Sequence, residues 1–169
     1  MKRQSLLFIA AFITICLYNS CKKDDPTNIR NLFTAGPWEL ASLQVFNYVG
    51  TTLDETDTLN TNCDKKQILR FNDDNTCTYS NYDCLDQAPT GNWSLSRDRL
   101  YLLSDILVDT AANDTGSTAS GSLRPFTNTK IVNLGQYSMV LQTGDFQETN
   151  QPNRPRRVVQ YSFIRQRNN

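Results

Sequence analysis

The chain has 169 residues, 17 Lys and Arg against 17 Asp and Glu, a formal net charge of zero, and no His. Nothing in that balance supplies the concentrated basic face that phosphate binding needs, which argues against nucleic acid as a partner. Without imidazole there is no Ser-His-Asp or Cys-His centre, no His-ligated zinc and no side chain that ordinarily titrates near neutral pH. Paired-carboxylate chemistry remains open in principle. However, Asp54, Glu55, Asp57, Asp73 and Asp74 lie in turn-like polar segments, where Asp is favoured for its bonds to the backbone. The expectation is a non-enzymatic protein with no catalytic residues, no cofactor and no metal.

The first segment in chain order is an address. Lys2 and Arg3 precede an apolar run over residues 6–18, which has the length of a signal peptide and falls short of the roughly 20 residues a spanning helix requires. Ser20-Cys21 just past this run resembles the lipobox of bacterial lipoproteins. That resemblance implies cleavage after residue 20 and acylation of Cys21. Lys22-Lys23-Asp24-Asp25-Pro26 resembles the tether and export signal that sends some Gram-negative lipoproteins to the cell surface. The expected location is therefore the outer membrane, lipid-anchored and facing outward, with acyl chains contributing about 0.8 kcal/mol per buried CH₂. An ordinary secretory signal or an uncleaved anchor are the competing readings. The expected organisation is a signal peptide at 1–20, a lipidated tether at 21–30 and one domain at 31–169.

After a short helical turn over residues 28–33, the chain alternates in strand fashion between turn clusters. Eight strands are predicted, at 38–48, 64–71, 76–83, 92–96, 99–103, 125–134, 136–143 and 156–166. The second, fourth and sixth connections are tight. The first, third, fifth and seventh, at 49–63, 84–91, 104–124 and 144–155, are long. In an up-and-down antiparallel sheet alternate connections fall at opposite ends, so all long loops gather at one mouth. Eight strands also suit a barrel just wide enough for one small ligand, and closure removes exposed sheet edges. A β-sandwich of the same strand count is the alternative.

Gly36-Pro37-Trp38 at the start of the first strand matches the Gly-x-Trp signature of lipocalins. Cys63 before a strand ending in Phe71, Cys84 after the next strand, and Gly91-Asn92-Trp93 opening the fourth make the chain similar to bacterial lipocalin-like lipoprotein domains. The resemblance implies an eight-stranded antiparallel lipocalin-like barrel with an amphiphile-sized cavity. It also implies a basic residue of the last strand packed over Trp38. Arg165 is the best positional match and Arg167 the alternate, with about 1 kcal/mol from cation–π stacking.

Of five cysteines, Cys16 leaves with the signal and Cys21 takes the lipid. A two-residue loop at Asp73-Asp74 pairs Asn72 with Asn75, and counting outward sets Cys63 opposite Cys84, close enough for a disulfide. Asn75 in a left-handed bulge would shift this register by one. Cys77 is then unpaired opposite Arg70 and reads as a structural strand residue.

The mouth loops are where function is expected. Residues 110–122 are small, polar and Gly-containing, as in a flap or insert. Asp57-Thr58-Leu59 and Asp109-Thr110-Ala111 resemble short O-glycosylation sites of surface lipoproteins. Arg154, Arg156 and Arg157 read as a solvated loop tip. Phe46, Tyr48, Tyr82, Tyr101, Tyr137 and Phe146 are candidates to line a cavity or stack on a sugar; the competing reading is that they fill the barrel. The function expected is uptake of a small apolar or amphiphilic ligand at the open end. The alternatives are a protein-interaction or inhibitor module gripping a partner with its mouth loops, and a carbohydrate-binding sandwich.

Overall fold

The computed structural model describes residues 26–59, 63–111, 119–146 and 151–165; residues 1–20, expected as a signal peptide, Cys21 and Arg167 lie outside the described residues. The chain divides into a unit of residues 1–31 and a unit of residues 32–169, and every strand belongs to the second. Helix α1 (Pro26–Thr34) carries Pro at its first position, where the missing N–H is no loss. It is longer at both ends than the turn expected at 28–33.

Among the described residues nine strands form one sheet, and eight of them close an antiparallel barrel. They are β1 (Trp38–Val49), β3 (Ile68–Phe71), β4 (Thr76–Ser80), β5 (Thr90–Leu95), β6 (Tyr101–Ser104), β9 (Thr129–Leu134), β10 (Ser138–Gly144) and β11 (Pro155–Arg165), each bonded to the next, with β11 returning to β1. That closing ladder runs from Trp38↔Arg165 to Val49↔Pro155. It rules out the two-sheet sandwich, because a sandwich leaves its first and last strands unpaired with each other.

All four long connections leave the same rim, and all tight turns lie at the base. Two of the long connections fold further than expected. Residues 49–63 contain β2 (Thr52–Leu59), which turns back on β1 through Gly50 at φ 62, the conformation a two-residue hairpin loop demands. Residues 104–124 contain the hairpin of β7 (Val108–Ala111) and β8 (Ala119–Leu123). Neither segment has the apolar alternation that marks a half-buried strand, since both project from the rim. Residues 125–128 are a turn, so the strand predicted from 125 begins at Thr129.

The hairpin register differs by one residue from the two-residue-loop reading. Asn75 adopts φ 70, its N–H reaches Asn72 O at 3.2 Å, and Asn72 N donates to Thr76 O at 2.9 Å, which makes the left-handed bulge. The Asp74 carboxylate fastens it by accepting from Thr76 N (2.9 Å) and Oγ1 (2.6 Å). Consequently Phe71, not Arg70, stands opposite Cys77. Cys63 and Cys84 nevertheless form a disulfide with Cα atoms 5.2 Å apart, although not as an opposed ladder pair. The chain leaves β4 at Asn81 (φ 58) and enters a 3-10 turn, Tyr82–Cys84, while 63–67 run irregularly ahead of β3.

The base is a plug of aromatic rings. Phe33 meets Phe71 edge-on at 5.0 Å, and Trp93 lies 5.1 Å from Phe71 and 5.5 Å from Phe33. Both indoles donate to backbone, Trp38 Nε1 to Phe33 O and Trp93 Nε1 to Asn72 O, each at 3.0 Å. The Arg165 guanidinium sits 4.2 Å over the Trp38 ring and donates to Leu32 O. Above the plug, Leu69, Leu102, Met139, Leu141 and Phe163 are fully buried or nearly so, each worth about 1.5–3 kcal/mol of burial. Tyr79 stacks on Phe126 at 6.0 Å, and Phe126 meets Tyr161 at 5.1 Å. The barrel is thus filled from its base to the level of Tyr161.

Candidate functional site

Above that level the rim encloses an open cavity of about 570 Å³. Its position follows from the inward face of β1. Trp38 and Leu40 point inward, a bulge between Leu40 and Ser42 reverses the alternation, and from there the odd-numbered residues face the interior. Leu43 therefore stands beside Leu59 of β2 on one side and Tyr161 of β11 on the other, and all three line the cavity. Val159, Leu123 and Pro125 extend this apolar lining, and Thr127, Thr143 and Asn128 interrupt it with polar groups.

The floor is polar. Tyr82 Oη and Tyr161 Oη share a hydrogen bond at 3.2 Å, both rings being buried. Burial raises both phenols above the ordinary value of 10.0, so they keep their protons throughout the neutral range. Three charged side chains reach the cavity: Asp83, Arg124 and Arg157. Asp83 is committed, because its Oδ2 accepts Ala111 N at 2.7 Å and its own N–H donates to Gln67 Oε1 at 3.1 Å. Arg124 donates through Nε to Asp105 O at 3.3 Å. Arg157 takes part in none of the ion pairs recorded among the described residues.

Of the six aromatic candidates, only Tyr82 lines this cavity. Phe46 and Tyr48 lie on the even-numbered, outward face of β1, because the bulge after Leu40 reversed the alternation. Tyr101 faces outward beside the buried Leu102 and stacks on Phe146 at 5.8 Å. Tyr137 is 48% exposed in the basal turn between β9 and β10. On the outer wall, Tyr48, Phe146, Lys130, Gln142 and Arg156 border a small hollow of about 160 Å³.

Of the arginine cluster, Arg154 and Arg157 are exposed, as a solvated tip would be, and Arg156 is not. Arg156 is buried, lies 4.8 Å over the Tyr48 ring and donates Nε to Gly50 O at 2.8 Å and Nη1 to Asp145 O at 3.3 Å. Arg154 pairs with Asp145 at 2.9 Å. These bonds bind the 145–154 connection to the β1–β2 turn, leaving Arg157 to the cavity. Leu43, Leu59, Val159, Tyr161 and Arg157 were all missing from the candidates read in the sequence. The bulge that turns Leu43 inward carries no sequence mark.

Cys77 is fully buried, 3.3 Å from Ser104 Oγ. Burial pushes its thiol up from the ordinary value, the state of an inert structural cysteine. Of the two glycosylation-like threonines, Thr58 is exposed on β2 and Thr110 lines the cavity from β7. Among the described residues no helix is long and apolar enough to cross a membrane, and no group of three or more Cys, Asp or Glu is gathered as a metal ion would require. Comparison with known proteins finds no matching family model, no similar characterised protein and no similar solved structure.

Proposed function

We propose that the protein is an outer-membrane lipoprotein, held at the cell surface by acylated Cys21, whose barrel takes up one small amphiphilic molecule in its rim cavity. The observation that carries this reading is the split lining. Leu43, Leu59, Leu123 and Val159 offer an apolar wall, while Arg124 and Arg157 bring positive charge to the same space. A volume of about 570 Å³ lies within the range of small-molecule pockets. The apolar part of the ligand rests on the Leu43–Leu59 wall above the paired phenols, and an acidic head meets Arg157. The buried phenols of Tyr82 and Tyr161 keep their protons at neutral pH, which suits binding without turnover.

Native mass spectrometry of protein purified from its own membranes tests this, with a co-purifying mass as the expected result. In a titration with a fluorescent long-chain carboxylate, Val159→Trp should abolish binding by filling the cavity, and Arg157→Gln should weaken it about tenfold, the loss of a charge-assisted bond. Equal binding by both variants would remove the cavity from the argument. For the anchor, Cys21→Ser should move the protein from the membrane to the soluble fraction.

A second reading, a protein- or glycan-binding module, draws support from the rim itself. Val49, Leu53 and Leu107 are 42%, 48% and 45% exposed there, and a partner that bridges them would join them into the kind of contiguous apolar patch that marks an interaction site.

A further inference from the structure

A closed barrel leaves no strand edge unpaired, and the eight wall strands conform. β2 does not. It is bonded to β1 from Leu43↔Leu59 to Val49↔Thr52 with one bulge at Asp54, it ends the strand order, and no described strand lies along its far edge. Every one of its eight residues is exposed. Alternate residues of such an edge turn their N–H and C=O groups outward, which makes a template for a further strand.

The side chains select what the template accepts. Asp54, Glu55 and Asp57 stand in the middle of β2, with no Lys or Arg in the strand and no ion pair to any described residue. Leu53 and Leu59, 48% and 42% exposed, flank them, Leu53 on the outward face with Tyr48 and Leu59 on the cavity face with Leu43. A second copy of the chain added antiparallel on this edge would bring carboxylates against carboxylates, and like charges on adjoining strands repel. The edge thus rejects itself and favours the opposite sign. We propose that β2 is a docking edge for an extended segment of a partner protein, one with basic residues at its centre and apolar residues on either side. The segment adds as a strand beside Thr52–Leu59, and its basic side chains meet Asp54, Glu55 and Asp57. This goes beyond ligand uptake and does not depend on the rim cavity being filled.

The probe is a labelled seven-residue peptide with Lys at its central positions and Val on either side, followed by fluorescence anisotropy and by amide hydrogen exchange of the full chain. Two N-methylated versions carry the test, each blocking one set of alternate amides. Because a strand bonds along one edge only, one version should lose about tenfold or more in affinity while the other binds as the parent does. The amides of Thr52–Leu59 should gain protection. The triple variant Asp54→Lys, Glu55→Lys, Asp57→Lys should prefer a peptide with Glu in place of Lys; its circular dichroism should be unchanged, since the three side chains are exposed. An equal effect of the two methylated peptides, protection elsewhere in the chain, or charge reversal without a change of preference would each overturn the proposal.

Discussion

Tyr79 and Tyr82 should respond in opposite directions to loss of the same atom. The Tyr79 ring is completely buried, edge-on to Tyr82 at 5.0 Å and stacked on Phe126 at 6.0 Å, yet its hydroxyl has no hydrogen-bond partner among the described residues. A buried unpartnered hydroxyl costs about 1–3 kcal/mol. Tyr79→Phe keeps every ring contact and removes that cost, so it should stabilise the barrel by about 1 kcal/mol, or roughly 3 °C in Tm. Tyr82→Phe breaks the 3.2 Å bond to Tyr161 and leaves the Tyr161 phenol buried alone, so it should destabilise by about 1–3 kcal/mol. The assay is guanidinium unfolding of the oxidised protein, with the two midpoints compared at an unchanged slope. If Tyr79→Phe lowers the midpoint as Tyr82→Phe does, the Tyr79 hydroxyl is satisfied and the reasoning fails.

Replacing Cys63 and Cys84 together by Ser should cost about 3 kcal/mol, the chain-entropy value for a loop of this size, read as a lower unfolding midpoint that the reduced wild type reproduces. Gly91→Ala should destabilise by about 1–3 kcal/mol, because an added Cβ would lie 2.6 Å from Ile106 Cα; calorimetry measures it, and an unchanged Tm would show that the 105–106 backbone can retreat. Acid should weaken the fold through its turn carboxylates. The backbone N–H and side-chain amide of Asn92 hold Asp105 below its ordinary 3.8. Its folded value is depressed, so its contribution is complete above about pH 5 and is lost as pH falls below about 4. Midpoints measured across that window should fall less steeply in Asp105→Asn than in the wild type.

The eight wall strands, the meander and the single rim of long loops were legible because they depend on turn residues and on hydrophobic runs between them. Asn72 to Asn75 and Gly135 announce tight turns wherever the chain folds. The disulfide partners were legible although the register that set them opposite each other is one residue off, because both cysteines flank the one hairpin closely enough to meet. What escaped depended on features with no local signature. The bulge after Leu40 decides which face of β1 looks inward. It therefore turned Phe46 and Tyr48 from cavity residues into outer-wall residues and brought Leu43 inside. The polar run Thr52–Leu59 lacks strand alternation because neither of its faces is buried. The role of Arg156 required knowing that Gly50 and Asp145 converge on it from connections far apart in the chain.

The seam between β1 and β11 sets the order in which the molecule can assemble. Every other wall pairing joins strands that follow one another along the chain or are separated only by a projecting hairpin. By contrast, Trp38 must wait for Arg165. Bringing these ends together costs about 3 kcal/mol more entropy than closing a short turn, and the reward comes only when the final strand is present. A chain emerging amino end first from a ribosome therefore stays an open ribbon until β11 has been delivered, because only that strand gives β1 its second neighbour along the whole seam.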